Sequence, residues 1–198
     1  QAVTCDDFVQ AIADANPMSP LAQHLAQFKR WYSQAGTPRV EASGHYDAAT
    51  RTYALTLTQH CAPSPDQPAK EPFVIPVELG LLDARTGAAL PLLRSPDSAV
   101  PDSSQMVVLT QSSQTLTFHH LDAEPVPSLL RGFSAPVVLD IAYTDAQLLT
   151  LLAHDTDAFN RWEAGQRLAL RIAINIIANS AMDISASGHF DHQLLPAE

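Results

Sequence analysis

Apolar side chains recur along this chain at two different periods, and the period changes near residue 38. Before that point they are spaced by three and four positions, as at Phe8, Ile12, Leu21 and Leu25. This spacing gathers apolar side chains on one face of an α-helix. The pattern therefore predicts an N-terminal pair of helices, with faces that need a partner to cover them.

Residues that favour helix ends mark the boundaries of this pair. Thr4 can accept hydrogen bonds from the free backbone N–H groups of a first helix. Ser19 followed by Pro20 is typical of a second helix start. Gly36 fits the left-handed position after that helix, and Pro38 prevents its continuation.

From residue 39 the period changes to two, which indicates β-strands with one buried face. The longest unbroken alternation places five apolar residues on one face: Phe73, Ile75, Val77, Leu79 and Leu81. Residues 106–109 and 115–121 are expected to pair as a hairpin. About seven short strands, separated by Pro-rich loops, favour a two-sheet sandwich over a parallel α/β fold.

The segment 125–143 ends the strand region and leads into helices. A strand is predicted at residues 129–133, and a further alternation follows it. Thr144 and Gln147 have the spacing of a capping box, which begins a short helix. The predicted fold class is thus mixed β plus α, with a central sandwich flanked by N-terminal and C-terminal helices.

The last helix is expected to be the longest. Asp155 or Thr156 can cap its first turn, and an apolar face runs from Phe159 to about Ala178. Residues 182–198 have a weak pattern, and we expect that tail to be poorly tied to the rest of the chain.

Charge and composition narrow the possible partners. The 198 residues carry a formal net charge of −10, which disfavours binding to nucleic acid and to anionic membrane surfaces. No run of about 18 apolar residues exists, so no membrane span is predicted.

The two cysteines, Cys5 and Cys61, fall in different predicted modules, so we expect free thiols rather than a disulfide. That expectation suits a reducing compartment, and a cytoplasmic location is predicted. Because the chain begins with Gln1, we interpret it as a processed protein or a piece of a longer one.

The sequence motifs assign no catalytic, cofactor-binding or metal-binding residue. His119 and His120 lie on a predicted strand, where neighbouring side chains point to opposite faces and cannot chelate one ion. His189 and His192 have suitable chemistry, but no third ligand can be named. The sequence contains no H-E-x-x-H, no G-x-S-x-G and no Gly-rich phosphate loop.

Charged and aromatic clusters have structural interpretations that we prefer to functional ones. Asp155, Asp157 and Glu163 surround Arg161 near a predicted helix start, where capping and i,i+4 pairing are favoured over acid–base catalysis. Two aromatic pairs at helical spacing are interpreted as core or interdomain anchors rather than ligand platforms: Trp31 with Tyr32, and Phe159 with Trp162.

Several distinctive runs occur in a fixed order along the chain, among them T-C-D-D-F-V, F-K-R-W-Y-S-Q-A-G-T-P and L-R-G-F-S-A-P-V. The runs lie at residues 4–9, 28–38, 63–68, 80–83, 130–137, 152–155 and 157–164. Together they resemble the family of bacterial aminopeptidase N, a zinc metallo-aminopeptidase of the gluzincin kind that removes N-terminal residues from peptides.

The resemblance implies a central immunoglobulin-like β-sandwich and three modules. They are the helical tail of a catalytic domain at residues 1–38, the sandwich at 39–143, and the start of a helical C-terminal domain at 144–198. It implies zinc in the full-length enzyme, but the H-E-x-x-H motif that would hold it is missing here. No site residue is carried over, and Arg131 in the L-R-G-F run is interpreted as structural.

The predicted function is that of a non-catalytic interdomain spacer of such an aminopeptidase. Its partners would be neighbouring domains of the same parent chain, with peptide substrate bound by the full-length enzyme alone. The alternative is an independent immunoglobulin-like interaction module, and a stand-alone hydrolase is a third class. Whether the chain is itself an enzyme stays open from these residues.

Overall fold

The computed structural model describes residues 3–97 and 104–187. Six α-helices occur in this part of the chain: α1 Cys5–Ala15, α2 Pro20–Gln23, α3 Leu25–Phe28, α4 Arg30–Ser33, α5 Asp145–His154 and α6 Ala158–Ser187. The strands are β1 Arg39–Asp47, β2 Thr52–His60, β3 Ile75–Asp83, β4 Ala89–Leu90, β5 Gln105–Leu109, β6 Ser113–Phe118, β7 Pro125–Leu129 and β8 Val138–Ile141. A 3₁₀ turn, Arg131–Phe133, follows β7.

The strands form two sheets that face each other. The first sheet has the order β6-β2-β1-β8, and its β1–β8 pair is parallel, with Arg39 opposite Val138. In the second sheet β3 is central and pairs antiparallel with β4, β5 and β7. The predicted sandwich flanked by helices is confirmed, with eight strands in the described residues rather than about seven.

Alternating residues of β2 and β3 build the core between the sheets. On β2 they include Leu55 and Leu57, and on β3 they include Ile75 and Leu79; each is buried. Burial of one such side chain contributes about 1.5–3 kcal/mol before the loss of chain entropy is counted. The strict alternation seen in the sequence thus corresponds to the inner face of the sandwich.

A buried glutamine joins β2 to the chain that enters the second sheet. The Gln59 side chain accepts a hydrogen bond from the Phe73 N–H at 2.8 Å and donates one to the Phe73 carbonyl at 2.9 Å. It also donates to the Gln111 carbonyl at 3.0 Å. One side chain therefore satisfies three backbone groups that the strand ladders leave unpaired.

The hairpin predicted for residues 106–109 and 115–121 is wrong. β5 pairs with β3 in one sheet, whereas β6 pairs with β2 in the other. The connection between them crosses the sandwich. Both strands do bury alternate residues, such as Leu109 and Leu116, but the alternation specifies the buried face and leaves the partner strand open.

The N-terminal region differs from a simple helix pair. The second predicted helix is divided into α2, α3 and α4, and the break between α2 and α3 lies at His24, where the backbone leaves the helical region. Ser19 caps α2 as expected, and Gly36 has the predicted positive φ, at 100°. Thr4 caps α1 through a capping box with Asp7.

Polar side chains dock these short helices on the sandwich. Gln27 donates to the carbonyls of Pro72 and Thr110, at 3.1 and 2.6 Å, and the Trp31 indole N–H donates to the Val74 carbonyl at 2.8 Å. The Trp31 ring also packs on Phe73, with the centroids 4.8 Å apart. Trp31 is therefore a core anchor, as its helical spacing predicted.

The structure also tests the expectations about the cysteines and the last helix. Cys5 and Cys61 are free, as predicted. The backbone of α6 runs to Ser187, so the predicted end near Ala178 is wrong and residues 182–187 continue the helix. Residues 188–198, with His189 and His192, lie outside the described residues.

Within residues 3–97 and 104–187 we find no helix with the length and hydropathy to span a bilayer.

Replacing Gln59 with methionine tests its role as a connection between the sheets. Methionine fills a similar volume but satisfies none of the three backbone groups, so we expect Gln59→Met to lower the free energy of unfolding by about 2 kcal/mol or more. Urea unfolding followed by circular dichroism measures it. Gln166→Met, on an exposed face of α6, is the control and should change stability by less than about 0.5 kcal/mol. Equal effects of the two substitutions would contradict the role.

Candidate functional site

The most distinctive group of polar residues lies where the sandwich meets the C-terminal helices. Arg131 and Asp155 form a buried ion pair there, with Nη2 of Arg131 at 2.8 Å from Oδ1 of Asp155. The side chains are 11% and 0% exposed. We call the surrounding contact region, between β7, the 3₁₀ turn and the start of α6, the junction.

The local backbone directs Arg131 into the junction. Leu130, Gly132 and Phe133 all have positive φ, between 53° and 60°, so the chain turns back at once after β7. The guanidinium then lies against Gly80 of β3, where an added Cβ would be 2.6 Å from Cζ of Arg131. A side chain at position 80 would occupy the space that the guanidinium needs. The turn also ends strand β7 at Leu129, so the strand predicted at residues 129–133 is wrong.

Asp155 is held in place by donors on both sides of the junction. Its Oδ1 accepts from Arg131 and also from the Asp157 backbone N–H, at 2.9 Å. Its Oδ2 is buried and has no hydrogen-bond partner among the residues that the structure describes. A buried carboxylate of this kind is costly unless a cation lies beside it, so Arg131 is its essential partner.

A second set of hydrogen bonds runs parallel to the ion pair. Ser128 Oγ accepts from Nε of Arg131 at 2.9 Å and from the Asn160 amide at 2.8 Å. Asn160 donates in addition to the Leu129 carbonyl, at 3.0 Å. Strand β7 and helix α6 are thus linked directly, in addition to the link through the charges.

Asp157 caps α6 and binds the 3₁₀ turn at the same time. Its Oδ1 accepts from the Asn160 N–H and its Oδ2 accepts from the Gly132 N–H, both at 2.8 Å. The cap was expected at Asp155 or Thr156. Asp155 instead accepts a hydrogen bond from Arg131, and Thr156 Oγ1 accepts one from the same guanidinium at 3.2 Å.

An apolar cluster encloses the polar network on the side of α5. It contains Leu82, Val126, Tyr143, Leu148, Leu151 and Ala164. The Tyr143 hydroxyl donates to the Pro127 carbonyl at 2.6 Å, and burial raises the pKa of that hydroxyl above its ordinary value. Thr144 and Gln147 form the predicted capping box that begins α5 directly after this tyrosine.

Two arginines of α6 reach further along the junction. Arg167 Nη2 donates to the Leu139 carbonyl on β8, and Arg171 Nη2 donates to the Tyr143 carbonyl, both at 3.1 Å. Arg167 also pairs with Glu163 at i,i+4, as the sequence favoured for that carboxylate. Arg161, by contrast, donates to the Leu152 carbonyl instead of joining the acidic cluster.

The histidine and aromatic candidates from the sequence do not come together at the junction to form a catalytic group. His119 and His120 follow β6, and the His120 ring nitrogen lies 3.0 Å from the Pro96 carbonyl. Across residues 3–97 and 104–187 no three His, Cys, Asp or Glu side chains are grouped to hold a metal ion. Phe159 and Trp162 are 37% and 57% exposed. The Phe159 ring meets the Phe133 ring edge to face, with the centroids 5.4 Å apart, and contacts the Trp162 ring at 5.9 Å, so the aromatic group lies at the outer edge of the junction.

The junction can fix one element against another, because its charges are buried against protein groups. Sequence reasoning gave Arg131 a structural role but did not identify Asp155 as its partner. The signal that could have found the pair is weak: an arginine follows a strand, and an aspartate precedes a helix.

Comparisons with known proteins agree with this architecture. A family described as a domain of unknown function (DUF3458) with an Ig-like fold matches residues 36–142. A second, described as a domain of unknown function (DUF3458_C) with ARM repeats, matches residues 145–195.

The similar proteins are aminopeptidases. Aminopeptidase N of Escherichia coli strain K12 is 42% identical over 176 residues, which cover 88% of this chain and 19% of that protein. Aminopeptidase N of Haemophilus influenzae is 38% identical over 189 residues, covering 93% and 21%. A crystal structure of Legionella pneumophila aminopeptidase A in complex with aspartic acid has a TM-score of 0.69 at 28% identity, covering 88% and 18%.

These matches confirm the resemblance to bacterial aminopeptidase N and the immunoglobulin-like sandwich. The chain spans about a fifth of the length of the curated relatives it matches.

Loss of the Arg131 charge should weaken the fold strongly. Arg131→Met leaves Asp155 buried without a cation, and we expect a loss of about 3–5 kcal/mol in the free energy of unfolding. Chemical denaturation measures it. The matched control is Arg51→Met, which breaks the exposed pair with Asp122 and should cost less than about 1 kcal/mol. In the double variant Arg131→Met/Asp155→Leu we expect part of the loss to be recovered, and additive losses would contradict the pairing.

Gly80 and Gly165 form a second matched comparison. A Cβ at position 80 meets the Arg131 guanidinium, whereas one at position 165 meets the Leu152 side chain at 3.4 Å, an ordinary contact distance. We expect Gly80→Ala to destabilise by about 1–3 kcal/mol through overpacking. Gly165→Ala, inside α6, should stabilise by about 0.5–1 kcal/mol. Thermal unfolding of both variants measures the difference, and a neutral Gly80→Ala would show that the guanidinium does not need this space.

Proposed function

Because the chain belongs to the family of the DUF3458 domain with an Ig-like fold, we propose that it is a non-catalytic spacer of a zinc-dependent aminopeptidase that removes N-terminal residues from peptides. Relatives named aminopeptidase N, 38–42% identical over most of the chain, support the proposal. The three modules of the proposal are residues 1–38, 39–143 and 144–198. Their partners are neighbouring domains of the same polypeptide.

The observation that carries the proposal is the buried Arg131–Asp155 pair. A spacer that transmits position has to resist bending where it joins its neighbours. A bend at the junction that is too small to admit water would separate Arg131 from Asp155 and leave both charges buried and unpaired, at a cost of about 3–5 kcal/mol. A bent state of that cost is populated at roughly 1% or less.

The other end of the sandwich is fastened by hydrogen bonds to backbone groups. Gln34 exchanges two hydrogen bonds with the Glu71 backbone, at 2.9 and 2.8 Å. Gln67 links back to the Ser33 carbonyl at 2.7 Å and to the Ala35 N–H at 2.8 Å. Both flanking helical regions are thus docked on the sandwich, which suits a rigid spacer better than a flexible tether.

Zinc does not fit the described residues of this chain. They offer no group of three ligand-type side chains, and the whole sequence has no H-E-x-x-H. We therefore place the metal in another part of the parent polypeptide and assign no residue here to the reaction. The proposed contribution of this chain is geometric, since a misplacement of about 1 Å in a peptidase site can cost about a hundredfold in rate.

A cytoplasmic location is part of the same proposal. Its support is the pair of free thiols, Cys5 and Cys61, which is typical of proteins kept in a reducing compartment.

The proposal is tested in the chain and in its parent. The 198-residue chain supplied with zinc should hydrolyse no aminoacyl anilide, because it positions other domains and carries no reacting group. In the polypeptide encoded by the whole reading frame, Arg131→Met should lower kcat/KM by about tenfold or more below the unfolding temperature, with zinc content unchanged.

Arg51→Met in the same polypeptide is the control, and its kcat/KM should stay within about twofold of the starting protein. Turnover by the chain that survives removal of contaminating peptidases would overturn the non-catalytic assignment. An unchanged kcat/KM in folded Arg131→Met would overturn the positioning role.

A further inference from the structure

A cavity of about 260 Å³ opens beside the end of strand β8. Strand β8 pairs with β1 only as far as Ile141, which lies opposite Ala42, whereas β1 continues to Asp47. After β8 the chain turns, with the Tyr143 N–H donating to the Ile141 carbonyl at 3.1 Å, and then enters α5. The cavity therefore lies where β1 extends past its neighbour, and its volume is close to the lower end of the range for small-molecule sites, about 300 Å³.

Three tyrosines line this cavity, which we call the tyrosine cavity: Tyr46, Tyr53 and Tyr143. The Tyr46 hydroxyl donates to the Leu121 carbonyl at 2.9 Å, and the Tyr143 hydroxyl donates to the Pro127 carbonyl at 2.6 Å. Tyr53 is only 4% exposed, yet its hydroxyl makes no hydrogen bond to any residue that the structure describes. Since buried polar groups are nearly always hydrogen-bonded, this hydroxyl is the one that calls for a partner from outside the fold.

The neighbouring strand leaves space for the Tyr53 hydroxyl. Gly44 of β1 also lines the tyrosine cavity, and a Cβ added there would lie 1.8 Å from Oη of Tyr53. A side chain at position 44 would thus occupy the place of the hydroxyl. The absence of that side chain, and not an attraction to another protein group, allows the hydroxyl to lie at the cavity wall.

Glu124 supplies the charge of the tyrosine cavity. It is the only charged residue among the described residues that line the cavity, and its exposed carboxylate pairs with no described side chain. Burial, and after it the charge of Glu124, raises the pKa of the Tyr53 hydroxyl, so this hydroxyl keeps its proton at neutral pH. The adjacent recess adds Asp83 and Asp122 against one Arg85, which leaves the surroundings negative.

These groups favour a cation over an anion. A ligand has to approach a carboxylate and a hydroxyl oxygen inside a wall of aromatic rings and of apolar residues such as Pro125 and Ile141. A primary ammonium donates to both kinds of oxygen, and the faces of the rings attract its charge. A ligand with a carboxylate beside its ammonium, such as an α-amino acid, would be repelled by Glu124 and would find no cation among the lining residues.

We propose that the tyrosine cavity binds a free, small primary ammonium compound with an apolar tail, whose ammonium group donates to Oη of Tyr53 and to the carboxylate of Glu124. The proposal goes beyond the spacer role, because it gives this chain a ligand of its own. It does not depend on that role, because every residue that it uses belongs to this chain.

Three matched probes test the chemistry in the 198-residue chain. Phenethylammonium should bind with a Kd of about 1 mM or tighter and should shift the amide resonances of residues 42–46 and 141–143 in NMR titrations. 2-Phenylethanol replaces the ammonium with a hydroxyl, and L-phenylalanine adds a carboxylate beside it. Each should bind at least about tenfold more weakly. Equal binding of the three probes would show recognition of the apolar tail alone and would overturn the proposal.

Tyr53→Phe removes the hydroxyl and keeps the ring. It should weaken phenethylammonium binding by about tenfold or more, because one hydrogen bond to a charged group is lost. Its unfolding temperature should stay within about 2 °C, because no protein hydrogen bond is lost. Tyr32→Phe, on a helix outside the cavity, is the control and should leave the Kd within about twofold. A folded Tyr53→Phe with an unchanged Kd would overturn the proposal.

Glu124→Gln tests the charge. It should weaken phenethylammonium binding by about threefold or more, as expected for an exposed carboxylate. Glu41→Gln, on the exposed face of β1, makes the same change in net charge away from the cavity and should leave the Kd within about 1.5-fold. Equal weakening by the two substitutions would assign the effect to net charge and would overturn the contact with Glu124.

The polypeptide encoded by the whole reading frame shows whether the ligand is free. At a phenethylammonium concentration equal to the Kd of the 198-residue chain, calorimetry should detect more binding to this polypeptide than to its Tyr53→Phe form. That difference separates the tyrosine cavity from any amine site in other domains. Equal binding to the two forms would show that another part of the polypeptide fills the cavity and would overturn the assignment to a free ligand.

Discussion

The structure depends on one interaction, the buried ion pair of Arg131 and Asp155. Such a pair contributes little net stability, since desolvation offsets most of the attraction, but removal of either partner is costly. It therefore fixes an arrangement more than it strengthens one. Gly80 leaves space for the guanidinium, and Ser128 and Asn160 satisfy the groups beside it. Each of these residues is explained by the need to keep one buried cation beside one buried anion.

The N-terminal helices are attached to the sandwich by hydrogen bonds from polar side chains to backbone groups. Residues 71–74 enter the second sheet outside any strand pair, so their backbone groups need other partners. Gln27, Trp31 and Gln59 supply them from two sides. Apolar burial holds the sandwich together, while polar side chains determine how the helical elements sit on it. Both helical regions are thus joined to the sandwich by hydrogen bonds from polar side chains, which is the kind of attachment that the proposed spacer role requires.

Sequence reasoning succeeded where local chemistry decides the structure. The caps at Thr4, Ser19 and Thr144, and the alternation along β2 and β3, depend on near neighbours and were predicted correctly. Partner choice was not predictable, because alternation is the same whether β5 pairs with β6 or with β3. The Arg131–Asp155 pair joins positions 24 apart through a turn with three positive φ angles, and two of those residues are not glycine. The end of α6 was misplaced because Asn175 and Asn179 interrupt the apolar pattern while the helix continues. The identity of the family came from ordered runs of residues, and periodicity alone would have stopped at a sandwich with flanking helices.

The parallel pairing of β1 with β8 has a consequence for biosynthesis. Arg39 lies opposite Val138, so the first sheet closes by joining segments about 100 positions apart in the chain. At about 5–20 residues per second a ribosome needs roughly 5–20 s to make the intervening sequence. During that interval β1 has its β2 neighbour but an open edge on the other side, which is a site for pairing with a wrong strand. The nascent domain is thus most open to misassembly, and to protection by chaperones, in the seconds before β8 leaves the ribosome.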